Sequence, residues 1–473
     1  MKKFQLRKYQ EECVQKGLEY INAPKDKGPG IIIAPTAAGK SLIISELAIR
    51  TKKPILCIQP SRELLEQNYG KLISLGGTAT LYSASVRKKE VSILTFATLG
   101  SIKEVAHKFK EVGVEVMFID ECHKNIPPTP GSQFMKFIEE LNPKKVIGLT
   151  ATPVFLKNSM EGAELKFLTR MRPAYFKQVL HCVQIQELVR DKFWSPLHYE
   201  IQPFDGSALK FNSGGSDFTE QSIKIAAKSN GVNNRMYSRI KKLIAEGYKK
   251  ILVFMDCIEN TEKMAEALSE FTNAGYVHSK LSGKIRAKNL EAFHKGDLKV
   301  LCNVSVLSTG YDEPGIDAIL LGTSTNSLSL YYQILGRGVR IHPGKSHCFI
   351  SDFMGNVERF GFVEHLEIID NPNHGWGIYN KDVLLTNTPM NGRKITKKML
   401  EKKAKEISDE FDDIMPIGKY KGQKISELPI DYLKLVTSPT YKVNWNHNPI
   451  SRRIKQEILR MIAENEVSRF VQK

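Results

Sequence analysis

The stretch GIIIAPTAAGKS, residues 30–41, decides the fold of this chain. Three isoleucines after Gly30 predict a short buried strand, and SLIISELAIRT, residues 41–51, has the spacing of an amphipathic helix. A loop between such a strand and helix turns backbone N–H groups toward a phosphate, and the helix N-terminus adds partial positive charge. We therefore predict a phosphate site made by Thr36, Ala37, Ala38, Gly39, Lys40 and Ser41.

Within this loop, Lys40 would lie against the β- and γ-phosphates of a nucleotide, and Ser41 would hold Mg²⁺. Ala34 stands where the common form G-x-x-x-x-G-K-[ST] has its first glycine. The strand before the loop and the helix after it therefore support the prediction together with the GKS core.

Short apolar runs alternate with amphipathic segments on both sides of the protein's midpoint. The first series is GIIIAP, KPILCIQP, VSILTF, VEVMFID and KKVIGLTATP, and the second is KKILVFMD, YVHSK, LKVLCNVSVLSTG, IDAILLGTS and SHCFISDF. Alternation of buried strands and helices predicts parallel sheets covered on both faces. The expected fold class is α/β, with two similar parallel-sheet domains in tandem.

Composition changes suggest where these domains begin and end. We expect a first lobe at residues 1–200, a polar inter-lobe connection or accessory element at 201–234, and a second lobe at 235–383. A charged helix or linker would follow at 384–413, and a small basic module at 414–473.

The run VEVMFIDECH, residues 114–123, places two carboxylates at the end of an apolar strand. Burying them is costly unless they meet a metal or hydrogen-bond donors, and the carboxyl ends of parallel strands face the crevice where α/β sheets bind ligands. We expect Asp120 to hold Mg²⁺ through water, and Glu121 to orient and deprotonate an attacking water. The alternative is a helix N-cap.

The run QILGRGVR, residues 333–340, lies in the second series. Gln333, Arg337 and Arg340 are spaced at i, i+4 and i+7, which predicts one helical face that carries all three. Phosphoryl transfer needs positive charge at the γ-phosphate, so these side chains would complete a catalytic site when the lobes close. The alternative is a solvated basic helix, for which a GRG sequence is poorly suited.

Eight motifs occur in the order typical of superfamily 2 helicases, namely FQLRKYQ, APTAAGKS, PSRELLEQ, TFATLG, DECH, TATP, VSVLSTGYDEPGID and QILGRGVR. The resemblance implies two RecA-like lobes with ATP and Mg²⁺ between them. Within the superfamily the chain is most similar to the bacterial RadD-type and phage UvsW-type DNA helicases, the former through ISDFMGNVERFG, residues 350–361. The cysteine-rich zinc element of RadD-type proteins has no counterpart here.

The same resemblance implies further residue roles where the motifs match. Adenine contacts would come from Arg7 and Gln10, and further nucleotide contacts from Gly310 and Asp312. Contacts with a nucleic-acid strand would come from Arg62, Thr95, Thr98, Ser308 and Thr309. His123, Thr150 and Thr152 would couple hydrolysis to movement of the lobes.

The chain of 473 residues carries 69 Lys and Arg against 51 Asp and Glu, a net charge of +18 that favours a polyanionic partner. The tail is the most basic part, and MPIGKYKGQKISELPIDYLKLV, residues 415–436, resembles a small module at the ends of certain bacterial and phage exonucleases. In it, Lys419 and Lys421 could contact phosphate while Tyr420 stacks on a base. The alternative is a basic solubility module, and no nuclease constellation is evident.

The seven cysteines are dispersed without a C-x-x-C pair, which is typical of a reducing compartment and argues against a zinc site. No secretory signal or membrane-spanning run is evident in the sequence. We expect a cytoplasmic protein with no membrane partner. The sequence leaves the oligomeric state open, with a monomer as the expectation.

Together these features predict an ATP-dependent DNA helicase or translocase that acts on forked or branched DNA in recombination, repair or replication. Three alternatives remain at this point: an RNA helicase, a motor subunit of a restriction-type complex, and a nucleic-acid-binding scaffold that has lost hydrolysis. Nothing in the motifs distinguishes a 2′-hydroxyl, so the choice between DNA and RNA stays open.

Overall fold

The computed structural model describes residues 5–25, 27–124, 132–159, 162–213, 217–304, 306–307, 311–372, 375–381, 383–387, 423 and 427–436. Contacts divide the chain into one unit at residues 1–393 and another at 394–473. The larger unit contains two parallel sheets and two smaller antiparallel ones. The smaller unit is described through one helix, Ile430–Val436, in which Leu433 is fully buried.

The first lobe is an eight-stranded sheet in the order β10-β1-β7-β6-β2-β5-β3-β4. Its strands are parallel except for β4, which pairs antiparallel with β3. The strands are β1 (Gly30–Ile33), β2 (Ile55–Gln59), β3 (Thr80–Ser83), β4 (Lys88–Lys89), β5 (Leu94–Thr98), β6 (Val116–Asp120), β7 (Lys145–Thr150) and β10 (Gln178–Cys182). A hairpin of β8 (Val154–Ser159) and β9 (Gly162–Phe167) lies between β7 and β10 in sequence.

The described helices of this lobe are α1 (Lys8–Asn22), α2 (Lys40–Arg50), α3 (Arg62–Ser74), α4 (Leu99–Ile102), α5 (Ala106–Glu111), α6 (Gln133–Leu141) and α7 (Ile185–Arg190). The central strands β1, β2, β6 and β7 are buried along their whole length, as expected for a parallel sheet covered on both faces. The five predicted strands are all present. The edge strands β4 and β10 were missed because their residues are exposed or only partly buried, and β3 was missed because its sequence, TLYS, is short and half polar.

The second lobe is a six-stranded parallel sheet in the order β11-β16-β15-β12-β14-β13. Its strands are β11 (Leu197–Ile201), β12 (Ile251–Phe254), β13 (Ala274–Val277), β14 (Val300–Asn303), β15 (Ala318–Leu321) and β16 (Cys348–Asp352). Its helices are α8 (Glu220–Ser229), α9 (Val232–Ala245), α10 (Ile258–Ser269), α11 (Gly283–Lys295), α12 (Leu328–Leu335) and α13 (Asn356–Phe360). The α/β class with RecA-like lobes is therefore confirmed.

The connection between the lobes differs from the sequence prediction. Strand β11 pairs with β16, so the chain enters the second sheet at Leu197, before residues 201–234 begin. Within that segment α8 buries Ile223, Ala226 and Ala227 in the core of the second lobe. The segment 201–234 was expected to be an inter-lobe connection or an accessory element, and its described residues include a helix that packs in the core of the second lobe.

A three-stranded antiparallel sheet follows the second lobe and bonds to the first. It consists of β17 (Leu366–Asn371), β18 (Gly375–Asn380) and β19 (Val383–Leu384). Gln184, which caps α7, donates to the carbonyl of Ile368 over 2.8 Å and accepts from its N–H over 3.1 Å. The rings of Phe167 and Trp376 stack at 6.2 Å. The sequence analysis did not predict this sheet.

Two predicted regions fall outside the described residues, at least in part. The charged segment 388–413 has no described residue, and Lys419, Tyr420 and Lys421 lie outside them as well. Among the residues that are described, no helix combines the length and apolar character needed to cross a bilayer.

Candidate active site

A cavity of about 330 Å³ lies between the two lobes. This is within the size range of small-molecule sites, roughly 300–1,000 Å³. Among the residues that line it are Arg7, Thr36, Ala37, Gly39, Lys40, Ser41, Asp120, Glu121, Phe193, Asp312, Gln333, Arg337 and Arg340. The structure therefore brings most of the predicted nucleotide-site residues into one space.

The predicted phosphate loop runs from Ala34 to Gly39 between β1 and α2. Positive φ angles at Ala37 (64°) and Gly39 (82°) turn its backbone. A Cβ atom at Gly39 would lie 2.6 Å from Gln10 Nε2, so both the backbone conformation and the close approach require glycine there.

Helix α1 supports the loop through two hydrogen bonds. Tyr9 Oη and Gln10 Nε2 donate to the carbonyl of Ala38 over 3.1 and 2.8 Å. Gln10 Oε1 accepts from the N–H of Arg7, so the amide oxygen and the amide nitrogen of Gln10 are both bonded to backbone groups. Gln10 is 4% exposed and positions the loop, and its contact with adenine stays a prediction.

Lys40 is the first residue of α2 and extends toward the acidic pair. Its Nζ lies 3.6 Å from Glu121 Oε1 and 3.4 Å from the carbonyl of Ala34. Both charged side chains are about 15% exposed, at 14% and 15%. The ammonium thus stands between the loop and the end of β6, where the negative charge of a phosphate would be stabilised.

Asp120 is the last residue of β6, and both of its carboxylate oxygens accept hydrogen bonds from protein groups. Its Oδ2 accepts from Asn68 Nδ2 and its Oδ1 from the N–H of Glu121, over 2.8 and 2.9 Å. Burial, reinforced by the neighbouring charge of Glu121, raises the pKa of Asp120. A cation at this carboxylate would reverse that shift.

Glu121 presents an acceptor to the cavity wall. Burial acts to raise the pKa of Glu121, but the positive charge of Lys40 and further cations lowers it overall. Its Oε2 is buried without a hydrogen-bond partner among the described residues. An ionised carboxylate with such an oxygen fits a bound water that donates to it.

The residues also fit a magnesium ion bound together with a nucleotide. In the described part of the chain, no three His, Cys, Asp or Glu side chains group closely enough to hold a metal by themselves. Magnesium in phosphate-transferring sites is commonly held by one or two protein ligands, with substrate phosphates and waters completing its shell. Ser41 and Asp120 line the same cavity and are the candidates for that role.

The second lobe contributes two guanidiniums, but from a turn. Helix α12 ends at Leu335, so Arg337 and Arg340 do not share a helical face with Gln333, and that prediction was wrong. The glycines on either side of Arg337 favour a turn over a further helical turn. Both arginines instead donate to the carbonyl of Tyr311, which brings their side chains together.

Arg337 is 6% exposed, and its Nε donates to the carbonyl of Gln333 over 3.2 Å. Burial, with the nearby charge of Arg340, lowers the pKa of Arg337 to about 9, which leaves it a cation at neutral pH. Arg340 forms an ion pair of 2.6 Å with the exposed carboxylate of Asp312. A buried cation in a cavity wall favours an anionic ligand.

The residues expected to couple the lobes form hydrogen bonds across the seam. His123 Nδ1 lies 2.8 Å from Thr150 Oγ1, and its Nε2 lies 3.4 Å from Gln333 Nε2. Burial lowers the pKa of His123 to about 4, so the ring is neutral at pH 7. Ser329 of α12 donates to Thr152 Oγ1 over 2.5 Å.

The residues expected to contact nucleic acid in the first lobe have different environments. Arg62 is exposed at the start of α3 and pairs with Glu66 over 2.9 Å. Thr95 is fully buried, and its hydroxyl bonds to Ser92 within the lobe, while its contact with a nucleic-acid strand stays a prediction. Thr98 is 8% exposed and bonds to Ser83 and Ser101.

Ser308, Thr309 and Gly310, which belong to the expected strand and nucleotide contacts of the second lobe, lie outside the described residues.

Two aromatic residues of the cavity region were missed by the sequence analysis. Phe193 lines the cavity, and the Arg7 guanidinium lies 3.8 Å above its ring. Trp194 donates from Nε1 to the carbonyl of Thr36 over 2.9 Å. The dipeptide stands in DKFWSP, residues 191–196, where no motif or periodicity marks it.

Comparison with protein families assigns the two lobes. The family model described as the res subunit of type III restriction enzymes matches residues 3–155, and the helicase conserved C-terminal domain matches residues 235–342. These matches assign a restriction-enzyme res-subunit domain to the first lobe and a helicase C-terminal domain to the second, in agreement with the resemblance of the motifs to superfamily 2 helicases.

The chain is similar to the IRC3 protein of Saccharomyces cerevisiae, which is named as a putative ATP-dependent helicase. The two are 25% identical over 370 residues, which cover 74% of this chain and 51% of the yeast protein. The helicase therefore matches about half the length of that relative.

Two solved structures share the fold of this helicase. A fragment named as an HsdR subunit of a type I restriction enzyme from Vibrio vulnificus has a TM-score of 0.56 at 20% identity, over 75% of this chain and 65% of that one. The type ISP restriction-modification enzyme LlaBIII, solved bound to DNA, has a TM-score of 0.53 at 17% identity, over 75% and 28%. At these identities the likeness concerns the fold alone.

Proposed function

We propose that this helicase is an ATP-driven DNA translocase that acts on forked or branched DNA. The observation that carries the proposal is that Lys40 and Glu121 of the first lobe line the same cavity as Arg337 of the second. Hydrolysis in this cavity would then depend on how the two lobes are arranged.

Each cavity residue has a role that fits its surroundings. Lys40 binds the β- and γ-phosphates, together with the N–H groups of the loop between Thr36 and Ser41. Glu121 holds and deprotonates the attacking water, since its ionised Oε2 has acceptor capacity to spare. Arg337 and Arg340 stabilise the charge that develops on the transferred phosphoryl group.

Ser41 and Asp120 would hold Mg²⁺, which when bound neutralises phosphate charge. Arg7 and Phe193 lie where a nucleobase could stack, next to the loop.

Hydrogen bonds across the seam supply a route from hydrolysis to movement. The pairs His123–Gln333 and Thr152–Ser329 join the carboxyl ends of β6 and β7 to α12. A ligand shifts a conformational equilibrium only if its contacts differ between the two states of the protein. A contact between Arg337 and the γ-phosphate would exist when the lobes are closed and be lost when they open. Alternating closure of two lobes that each grip a strand would move the protein along it.

DNA is proposed as the partner on two grounds. The net charge of +18 favours a polyanion, and the fold is shared with a restriction enzyme that was solved bound to DNA. The similarity of the motifs to RadD-type and UvsW-type helicases supports branched intermediates of recombination, repair or replication as substrates, in the cytoplasm of a bacterium or of a phage-infected cell.

The test is the ATPase activity of the wild type and of Lys40→Ala with matched DNA and RNA substrates. We expect forked DNA to stimulate the wild type most, with duplex, overhang and RNA fork behind it, and Lys40→Ala to lose activity with all of them. Hydrolysis by Lys40→Ala at the wild-type rate would refute the site. Preference for the RNA fork would assign the motor to RNA instead.

A motor of a restriction-type complex is the second candidate, since the res-subunit model matches the first lobe. The two functions differ in the need for a branch. Displacement of a triplex-forming oligonucleotide from unbranched linear duplex would favour the restriction-type motor. Strand separation that requires a fork would favour the first proposal.

A further inference from the structure

The backbone of one residue of the phosphate loop, Thr36, is held by residues from outside its own lobe. The N–H of Thr36 donates to Tyr332 Oη over 3.3 Å, and the carbonyl of Thr36 accepts from Trp194 Nε1 over 2.9 Å. Thr36 is 8% exposed, and all three residues are buried. Both polar groups of this residue are therefore satisfied by side chains that lie far from it in sequence.

The side chain of Thr36 meets the second lobe as well. A Cβ atom added to Gly336 would lie 2.6 Å from Thr36 Cγ2, so the turn before Arg337 lies directly against the loop. A side chain at Gly336 would push the two lobes apart. The close approach fixes the position of the arginine-bearing turn relative to the phosphate loop.

Trp194 belongs to the short connection between the lobes. The next residue, Ser195, donates its N–H to the carbonyl of Val339 over 2.7 Å, within the arginine-bearing segment. Trp194 and Tyr332 also contact each other, with ring centroids 6.3 Å apart. The connection, the phosphate loop and the arginine-bearing segment thus meet at one point.

We propose that Trp194 and Tyr332 are positioning residues. They hold the backbone N–H and carbonyl of Thr36 in the lobe arrangement in which Arg337 lines the nucleotide cavity. The proposal rests on the assignment of that cavity as the ATP site. Neither residue belongs to the helicase motifs quoted above, and neither is assigned a catalytic role. Both act through their hydrogen bonds to Thr36. Their contacts join the loop to the second lobe, so they favour the closed arrangement before ATP binds.

The expected effect is on nucleotide affinity more than on turnover. When the binding-competent arrangement is only partly populated, the apparent dissociation constant rises by the inverse of that fraction. Loss of one hydrogen bond to a backbone group changes such an equilibrium by roughly five-fold. At saturating ATP the ligand itself restores closure, so kcat would change by less than about two-fold.

The experiment uses the full chain and two conservative variants, Trp194→Phe and Tyr332→Phe, which keep an aromatic ring and remove the polar group. KM for ATP, kcat, and the dissociation constant of a non-hydrolysable ATP analogue are measured with saturating DNA. We expect a three- to ten-fold rise in KM and in the dissociation constant for each variant. Because both residues hold the backbone of Thr36, the double variant should show less than the product of the two effects.

Tyr331→Phe is the matched control. Tyr331 is the neighbouring residue on α12, is equally buried, and donates its hydroxyl to the carbonyl of Gly361 over 2.9 Å, within the second lobe. Loss of the Tyr331 hydroxyl should lower the melting temperature about as much as Trp194→Phe or Tyr332→Phe does, while KM for ATP stays at the wild-type value.

Several results would overturn the proposal. Wild-type affinities in both variants would do so, as would a fall in kcat with unchanged KM, or an equal rise in KM for Tyr331→Phe. Lys40→Ala separates this failure from that of the ATP site. If Lys40→Ala abolishes hydrolysis while the two variants bind normally, the ATP site stands and the positioning role is rejected.

Discussion

Glu121 has a different chemical situation from the acidic residue beside it. Asp120 accepts one hydrogen bond on each oxygen, whereas Glu121 Oε2 is buried without a hydrogen-bond partner among the described residues, 3.4 Å from His123 Nδ1. A carboxylate oxygen has two lone pairs, so Asp120 can still accept from a metal-bound water. The unoccupied acceptor of Glu121 supports the general-base role proposed for Glu121.

We predict that Glu121→Gln lowers the ATP turnover number by roughly 10²- to 10⁴-fold, the usual contribution of a general base. The dissociation constant for ATP should change far less, since the amide keeps the shape of the side chain. The control is Glu115→Gln, which precedes the opposite end of β6 and pairs with Lys144 outside the cavity. Turnover by Glu121→Gln within two-fold of the wild type would contradict the assignment.

Arg337 is expected to be needed for ATP turnover while its buried charge lowers the stability of the fold. Its burial is costly, as the lowered pKa indicates, so a neutral side chain of similar length should leave the fold at least as stable. We predict that Arg337→Gln lowers turnover by at least about 10³-fold without lowering the melting temperature.

Arg359→Gln provides the comparison. Arg359 is a largely buried arginine of the same lobe, and it donates to the carbonyl of Thr325 over 2.7 Å, away from the cavity. Its replacement should lower the melting temperature and leave turnover per folded molecule unchanged. A lower melting temperature for Arg337→Gln than for Arg359→Gln would show that Arg337 is a structural residue.

At the scale of elements, the three-stranded sheet is the least expected feature. It follows the second lobe in sequence yet hydrogen-bonds to α7 of the first, through Gln184 and through Gln186, which donates to the carbonyls of Glu364 and Leu366. The sheet therefore adds a second bridge between the lobes, separate from the connection that contains Trp194.

We predict that Gln184→Ala loosens this bridge, because it removes two hydrogen bonds to the backbone of Ile368. The loss should be about 1–3 kcal/mol of local stability, measured as faster hydrogen exchange of the β17 and β18 amides. Gln15→Ala is the control, since Gln15 bonds only to Glu11 on the exposed face of α1. Unchanged exchange in β17 and β18 would mean that packing alone holds the sheet.

At the scale of the whole molecule, charge is unevenly displayed. Arg87, Lys88 and Lys89 are exposed in the hairpin between β3 and β4. Close by, the hydroxyls of Ser83, Thr98 and Ser101 form a hydrogen-bonded cluster at the carboxyl ends of β3 and β5. Cations beside hydroxyls are groups that contact a phosphodiester backbone.

We predict that Lys88→Glu combined with Lys89→Glu weakens DNA binding and reduces the salt dependence of the binding constant. Each lost phosphate contact should lower the slope of log K against log salt by about 0.7–0.9. Lys52→Glu is the control, since Lys52 is exposed just before the amino end of β2, a central strand of the sheet. An equal effect of Lys52→Glu would mean that only net charge matters.

The sequence alone determined the parts of this protein that depend on local order. The strand–loop–helix around Lys40, the acidic end of β6 and the two α/β lobes were all predicted, because burial periodicity and turn chemistry act over a few residues. The edge strands, the three-stranded sheet and the true connection between the lobes were not, because their residues lack a clear period.

Tertiary structure decided which distant groups meet. Thr36 is 158 residues from Trp194 and 296 residues from Tyr332, and no local pattern relates them. The same packing buried Thr95 and brought Arg337 to the cavity from a turn instead of a helix. Such contacts form only when the two lobes pack against each other, so no local sequence pattern specifies them.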